Sequence, residues 1–219
     1  MSYQIKIPSY TCGGEGCIEN VPAIIEKEHA KKIMVFTDKG IRSTGLLDGL
    51  TKILDETAAE YKIFDDLTPE PAYQDVERVM DEAAQYEGDF IIAIGGGSVM
   101  DAAKLCSVLK GASYTVKDLL KDPAIAEKQI KTLMIPTTCG TGSEATCNAI
   151  VAIPEEQSKK GIVNDNMIPD YVFLDSQMIR KLPKAIIAAT GVDAPSRWST
   201  PSPPPWPCWR ASTSWRKRA

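Results

Sequence analysis

The stretch IIAIGGGSVMDAAK, residues 91–104, decides the fold. It opens as an unbroken apolar run, passes through three glycines, and continues with helical spacing. An apolar run of this kind reads as a parallel strand buried on both faces. Gly95, Gly96 and Gly97 let the backbone turn tightly and come close to a ligand. Ser98 is read as the N-cap of the following helix, with Asp101 three residues on completing a capping box. A helix N-terminus offers unpaired N–H groups and a partial positive charge, which suits a pyrophosphate. The alternative is a strand-to-helix turn that binds nothing.

The same alternation extends outward. KKIMVFTD (31–38), YKIFD (61–65), DFIIAI (89–94) and KTLMIP (131–136) read as strands. IRSTGLLDGLTKILDETAAE (41–60), PAYQDVERVMDEAAQYEG (71–88) and VMDAAKLCSVLKG (99–111) read as helices. Strands alternating with helices predict an α/β fold: a parallel, Rossmann-like sheet with helices on both faces. From Thr146 the pieces shorten to CNAIVAIP and KKGIVND, followed by a strand YVFLD (171–175). LPKAIIAATG (182–191) then starts a helix, with Pro183 suited to its first turn. The expected organisation is an α/β domain over 1–181, the start of an all-helical domain over 182–194, and an aberrant tail over 195–219.

A second glycine-rich loop, IPTTCGTGSEAT (135–146), also follows a strand. Thr137, Thr138, Thr141 and Ser143 bring hydroxyls that could meet phosphate or ribose oxygens; a polar surface turn is the alternative. Neither loop is a P-loop, since GxxxxGK[ST] is absent, and neither matches GxGxxG. Asp38, at the end of the first strand, is placed to accept hydrogen bonds from a ribose 2′-hydroxyl and to repel a 2′-phosphate, which favours NAD over NADP. It reads equally as an N-cap or turn aspartate.

Composition narrows the classes. Hydrophobic residues at 43 % and charged residues at 25 % are ordinary for a globular protein. No apolar run reaches the length of a membrane span. The opening MSYQIKIPSY lacks a signal-peptide layout, and the cytoplasm is expected. Residues 1–194 hold 20 basic against 29 acidic residues, a net −9 beside −4 for the whole sequence. That acidic body argues against nucleic acid as a partner. The six cysteines are scattered without a CxxC pair and are expected to remain thiols. The sole histidine, His29, reads as a solvated residue near a helix end.

With GGGSVMDAAK, PTTCGTGSEAT and LPKAIIAATGVDA in this order, residues 1–194 resemble the iron-containing alcohol dehydrogenases of the dehydroquinate-synthase-like superfamily. The first motif also suits the glycerol dehydrogenase branch; the second is more specific to the alcohol dehydrogenases. The resemblance implies an N-terminal NAD(P)-binding domain and a helical domain holding Fe²⁺ or Zn²⁺, with NAD as cofactor and NADP the other option. It implies hydride transfer between an alcohol and its aldehyde or ketone, and a homo-oligomer. Gly96, Gly97 and Ser98 would hold the pyrophosphate. Thr137, Thr138 and Thr141 would contact the phosphates and the nicotinamide side. Asp38 would face the adenosine ribose, and Lys159 or Lys160 would reach the nicotinamide ribose. Glu70 stands where relatives carry an asparagine near the adenine end. The family's metal is held by one aspartate, here Asp193, and three histidines; Arg197 stands where the first histidine is expected. A single aspartate cannot hold the ion, so these 219 residues are expected to be inactive alone.

Residues 195–219 contain six prolines and all four tryptophans, with no Leu, Ile, Val, Asp or Glu. The prolines forbid the helix that the family has here. The composition matches GC-rich DNA translated out of frame, and a frameshift after residue 194 is the expectation. A proline-rich ligand for an SH3 or WW domain, or a basic aromatic arm, are the alternatives. In the first of these the chain would be a non-catalytic nucleotide-binding module whose tail recruits a partner.

Overall fold

The computed structural model describes residues 4–68, 70–180, 182–184, 186–188 and 190–191. Six strands form one all-parallel sheet: β1 (Tyr10–Gly13), β2 (Lys32–Phe36), β3 (Glu60–Phe64), β4 (Phe90–Gly95), β5 (Lys131–Pro136) and β8 (Tyr171–Leu174). Their order is β1-β8-β5-β4-β2-β3. A separate antiparallel hairpin pairs β6 (Asn148–Ile153) with β7 (Ser158–Val163). The helices are α1 (Val21–Glu28), α2 (Lys39–Ser43), α3 (Leu46–Asp55), α4 (Tyr73–Tyr86), α5 (Gly97–Leu109), α6 (Val116–Lys121) and α7 (Gln177–Arg180).

The alternation of side chains along the strands divides the core into two layers. Ile33, Val35, Ile92, Ile94 and Leu133 pack with Val21, Ile24 and Ile25 of α1 and Leu47, Leu50 and Leu54 of α3. Met34, Phe36, Ile91, Ala93 and Met134 pack on the opposite side with Val79 and Ala83 of α4 and Met100 and Ala103 of α5. Every residue of β4 is buried, as its continuous apolar run requires. Full burial of each of its isoleucines stabilises the fold by about 1.5–3 kcal/mol.

A third cluster lies outside α5. Tyr73 and Val76 of α4, Val116 and Leu119 of α6, and Ala149, Val151 and Ile162 of the hairpin cover Leu105 and Val108. Residues 99–108 of α5 are all buried. A helix enclosed on all sides has no solvent-facing polar stripe, and the polar residues that α5 carries, Asp101, Lys104 and Ser107, are buried with the rest.

The expected helix over 41–60 is two helices. Gly45 adopts φ 71° between α2 and α3, a conformation glycine reaches without steric cost. Glu60, expected as the last residue of that helix, instead opens β3, which otherwise covers the strand expected over 61–65. The pieces CNAIVAIP and KKGIVND are the two arms of the hairpin. Residues 184, 186–188, 190 and 191 are helical, and the amides of Ile186 and Ile187 donate to the Pro183 carbonyl at 2.9 and 3.1 Å. His29 is the exposed C-cap of α1, with φ 54°. Asp193, Arg197, Cys208 and the 195–219 tail lie outside the described residues. No helix among the described residues is long and apolar enough to cross a membrane.

The strand order positions the site. From β2 the chain steps outward to β3, then returns to lay β4 on the other side of β2. The loops after β2 and β4 therefore part in opposite directions, leaving a crevice at the carboxyl ends of these strands. Ligands of open α/β sheets bind at such a switch point.

Candidate functional site

Gly95 ends β4, and a Cβ there would lie 2.8 Å from Val99 Cβ. Gly96, with extended backbone, is the N-cap of α5, and no side chain caps the helix. The first-turn amides of α5 are thus left for something other than the protein. A Cβ on Gly97 would come within 2.9 Å of Thr141 Cγ2, so the first glycine loop lies against the second.

The expected capping box does not form. The helix begins at Gly97, which places Ser98 inside the first turn rather than at the cap. Ser98 Oγ instead accepts from the Glu70 amide at 3.4 Å. Asp101 turns away from the helix end into the interior. Its carboxylate accepts from the Ile150 amide at 3.0 Å, from Ser143 Oγ, and from Lys104 Nζ at 3.2 Å.

Lys104 has no counterpart in the sequence reading. Its side chain is fully buried. Beyond Asp101, its ammonium donates to Ser143 Oγ at 3.0 Å, Thr146 Oγ1 at 3.2 Å and the Asn148 carbonyl at 2.8 Å. Burial pushes the Lys104 pKa down, and the Asp101 carboxylate opposes that shift. The cluster joins α5, the second glycine loop and the hairpin at one buried point. A lysine three residues after an aspartate on an otherwise apolar helix was the available signal, since i and i+3 share a face.

The second loop leaves β5 with the Thr137 amide donating to the Gly95 carbonyl at 2.9 Å. Thr137 is fully buried, yet its hydroxyl has no protein partner; the buried hydroxyl of Thr138 has none either. Buried polar atoms are nearly always hydrogen-bonded, so two orphans beside a glycine turn mark a place for a ligand's polar atoms. Thr141 Oγ1 accepts from the Ser143 amide at 3.3 Å. Farther along, a Cβ on Gly140 would lie 2.4 Å from the Thr190 carbonyl oxygen. The loop thus abuts the helix that follows Pro183.

Asp38 caps α2: its Oδ1 accepts from the Ile41 amide at 2.8 Å. The N-cap reading is therefore met, at the carboxyl end of β2 on the same edge as the glycine loops. Lys159 and Lys160 separate clearly. Lys160 pairs with Glu156 at 2.7 Å along the hairpin. Lys159 reaches the cleft and pairs with Glu70 at 2.6 Å. A cleft of about 190 Å³ is lined by Gly97, Ser98, Asp101, Thr141, Lys159 and Glu70. A larger hollow of about 510 Å³ lies between α4 and the far end of α5, away from all these residues.

Among the described residues no group of three or more His, Cys, Asp or Glu side chains could hold a metal ion. The five described cysteines are free thiols, with Cys17 and Cys106 buried. Burial raises Cys17 to about 11 and Cys106 to about 12. Both are inert.

A family model described as iron-containing alcohol dehydrogenase matches residues 8–176. Long-chain-alcohol dehydrogenase 1 of Geobacillus thermodenitrificans is 31 % identical over 194 residues, 87 % of this chain and 49 % of its own length. The crystal structure of an iron-containing alcohol dehydrogenase from Thermotoga maritima superposes with a TM-score of 0.79 at 33 % identity, over 88 % of this chain and 53 % of that one. Sulfoacetaldehyde reductase from Bifidobacterium kashiwanohense, solved in complex with NAD⁺, superposes with a TM-score of 0.80 at 27 % identity, over 88 % and 51 %. The chain thus spans about half the length of the relatives it matches. On its sheet order, its two glycine loops and these matches, the chain belongs to the iron-containing alcohol dehydrogenase family.

Proposed function

We propose that residues 1–181 are the NAD(H)-binding part of an oxidoreductase that interconverts a small alcohol and its aldehyde or ketone. One observation carries the reading. The uncapped N-terminus of α5, its glycine turn and the two unpartnered threonine hydroxyls converge at the carboxyl ends of β4 and β5. The N–H groups of Gly97 and Ser98 bind the pyrophosphate, favoured by the helix dipole. Thr137, Thr138 and Thr141 donate to phosphate and ribose oxygens. Asp38, held in place by the Ile41 amide, takes the adenosine ribose and disfavours a 2′-phosphate, so NAD is preferred to NADP. Lys159 reaches the ligand from the hairpin. When bound, the nicotinamide ring supplies the hydride acceptor or donor. The protein holds it at the open edge of the sheet.

The described residues do not fit the family's Fe²⁺ or Zn²⁺. They present no donor cluster, and the only histidine of the sequence caps α1 at position 29. Asp193 would be one ligand; Arg197 supplies charge of the wrong sign. Histidines for the metal must come from outside these 219 residues, which alone do not turn over an alcohol. The helical residues after Pro183 open the metal-binding domain, and the 195–219 tail is an out-of-frame extension. Small alcohols or aldehydes and a second copy of the chain are the partners, rather than nucleic acid or membrane. The free thiols support the cytoplasm as its compartment.

The test combines binding and turnover. NADH titrated into the full chain gives a saturable fluorescence change, while NAD⁺ with Fe²⁺ or Zn²⁺ and a panel of alcohols gives no turnover above the blank. Thr137→Val and Thr138→Val each weaken NADH binding about tenfold without lowering thermal stability, since each removes an unpartnered buried hydroxyl. Unchanged affinity in both variants, or turnover by the chain alone, contradicts this reading.

A further inference from the structure

Glu70 is unusual in its backbone and in its neighbours. Among the described residues, four other than glycine have positive φ: His29, Glu70, Glu87 and Gln157. Three of them cap helix C-termini, where a left-handed residue is ordinary. Glu70, at φ 56°, caps nothing. It sits in the loop before α4 and faces the cleft.

That loop is anchored at Glu70 and at the residues that follow it. The Pro71 carbonyl accepts from the Ala152 amide of β6 at 3.0 Å, and Ala72 bridges to Ala152. The Glu70 amide donates to Ser98 Oγ in the first turn of α5. Glu70 is thereby fixed at the mouth of the cleft, and its carboxylate meets Lys159 of β7 at 2.6 Å. Lys159 also lines the cleft, beside Gly97 and Ser98. A carboxylate thus occupies the hairpin's cleft-facing ammonium directly beside the helix end that suits an anion.

We propose that Glu70 is a competitor for Lys159 built into the nucleotide cleft. Its carboxylate holds the Lys159 ammonium, and an anionic group of the entering dinucleotide must take Lys159 from it. Glu70 thereby sets the affinity for the dinucleotide below what the same cleft would reach with a neutral residue. The inference rests on the nucleotide reading above. Both side chains are substantially solvent-exposed, so the exchange is easy and its effect moderate.

The experiment is a double-mutant cycle read by NADH fluorescence titration on the full chain. Glu70→Gln tightens NADH binding about threefold to tenfold, and Lys159→Met weakens it by a similar factor. In the Lys159→Met background the gain from Glu70→Gln falls below about twofold, because no ammonium is left to release. Glu70→Asn, a residue that tolerates φ near 56°, reproduces the gain and guards against a folding effect of the glutamine. A gain of equal size in the presence and absence of Lys159 overturns the proposal, since Glu70 would then act only by repelling the anion. No gain from either substitution also overturns it, while saturable NADH binding by the unmodified chain keeps the nucleotide reading. If neither the chain nor any variant binds NADH, both fail together.

Discussion

Lys104 brings a full charge into the interior, and every described feature of its surroundings is arranged to tolerate it. Asp101, two hydroxyls and a backbone carbonyl surround the ammonium, drawn from three separate segments. Removing one member of such a buried pair leaves the other uncompensated, which costs more than the pair contributes. Lys104→Met is expected to lower stability by about 3–5 kcal/mol in urea unfolding, with NADH affinity falling as the second loop loosens. A loss under about 1 kcal/mol would show that water or rearrangement replaces the cluster. The sign of its pH effect follows from the lowered pKa. Between that value and the ordinary lysine value the unfolded chain binds more protons than the native one, so this group's desolvation penalty diminishes as pH rises. At this scale the sequence revealed glycines and hydroxyls, whose chemistry is local. It hid Lys104, whose partners arrive from residues 143–148 only after folding.

Elements are joined by a second network on the opposite side of the sheet. Glu28, at the end of α1, accepts from Lys131 Nζ of β5 at 2.7 Å and from the Tyr171 hydroxyl of β8. Burial pushes the Glu28 carboxyl up, but hydrogen bonds from Lys131 and Tyr171 and nearby lysine charge outweigh it, and the net shift is downward. Burial and Glu28 together raise Tyr171 to about 12. A depressed carboxylate pKa stabilises the fold above the ordinary glutamate value and loses that contribution as pH falls through the folded value. Glu28→Gln is therefore expected to cost about 1 kcal/mol at pH 7, the exposure of Lys131 limiting it, and progressively less below about pH 4. Denaturation midpoints across that range check it; a difference that does not shrink in acid argues against the ion pair. Legibility at this scale followed length and pattern. β4 and α5 were readable because a buried strand and an enclosed helix leave long apolar runs around a glycine turn. β1, α1, α6 and α7 escaped, having four to eight residues each and too little periodicity to count. Gly45, read as part of a helix, turned out to divide two.

The whole molecule is an α/β sheet whose carboxyl edge gathers residues far apart in sequence: Asp38, Gly95–Ser98, Thr137–Thr141 and Lys159. The edge was legible in outline because each loop directly follows a strand, and parallel strands end on one side. Strand order was not legible, since nothing in one chain records which strands become neighbours. The placement of Glu70 against Lys159 depends on the hairpin folding back over α5 and was likewise invisible. The central claim is that this edge, and not the larger hollow between α4 and the far end of α5, takes the dinucleotide. Hydrogen–deuterium exchange of the full chain with and without NADH tests it most directly. Slowed exchange at residues 95–101 and 137–146, with smaller effects near residues 38–41 and 158–160, is the expected result. Unchanged exchange there, or slowing confined to residues 77–84 and 106–116, would contradict the account.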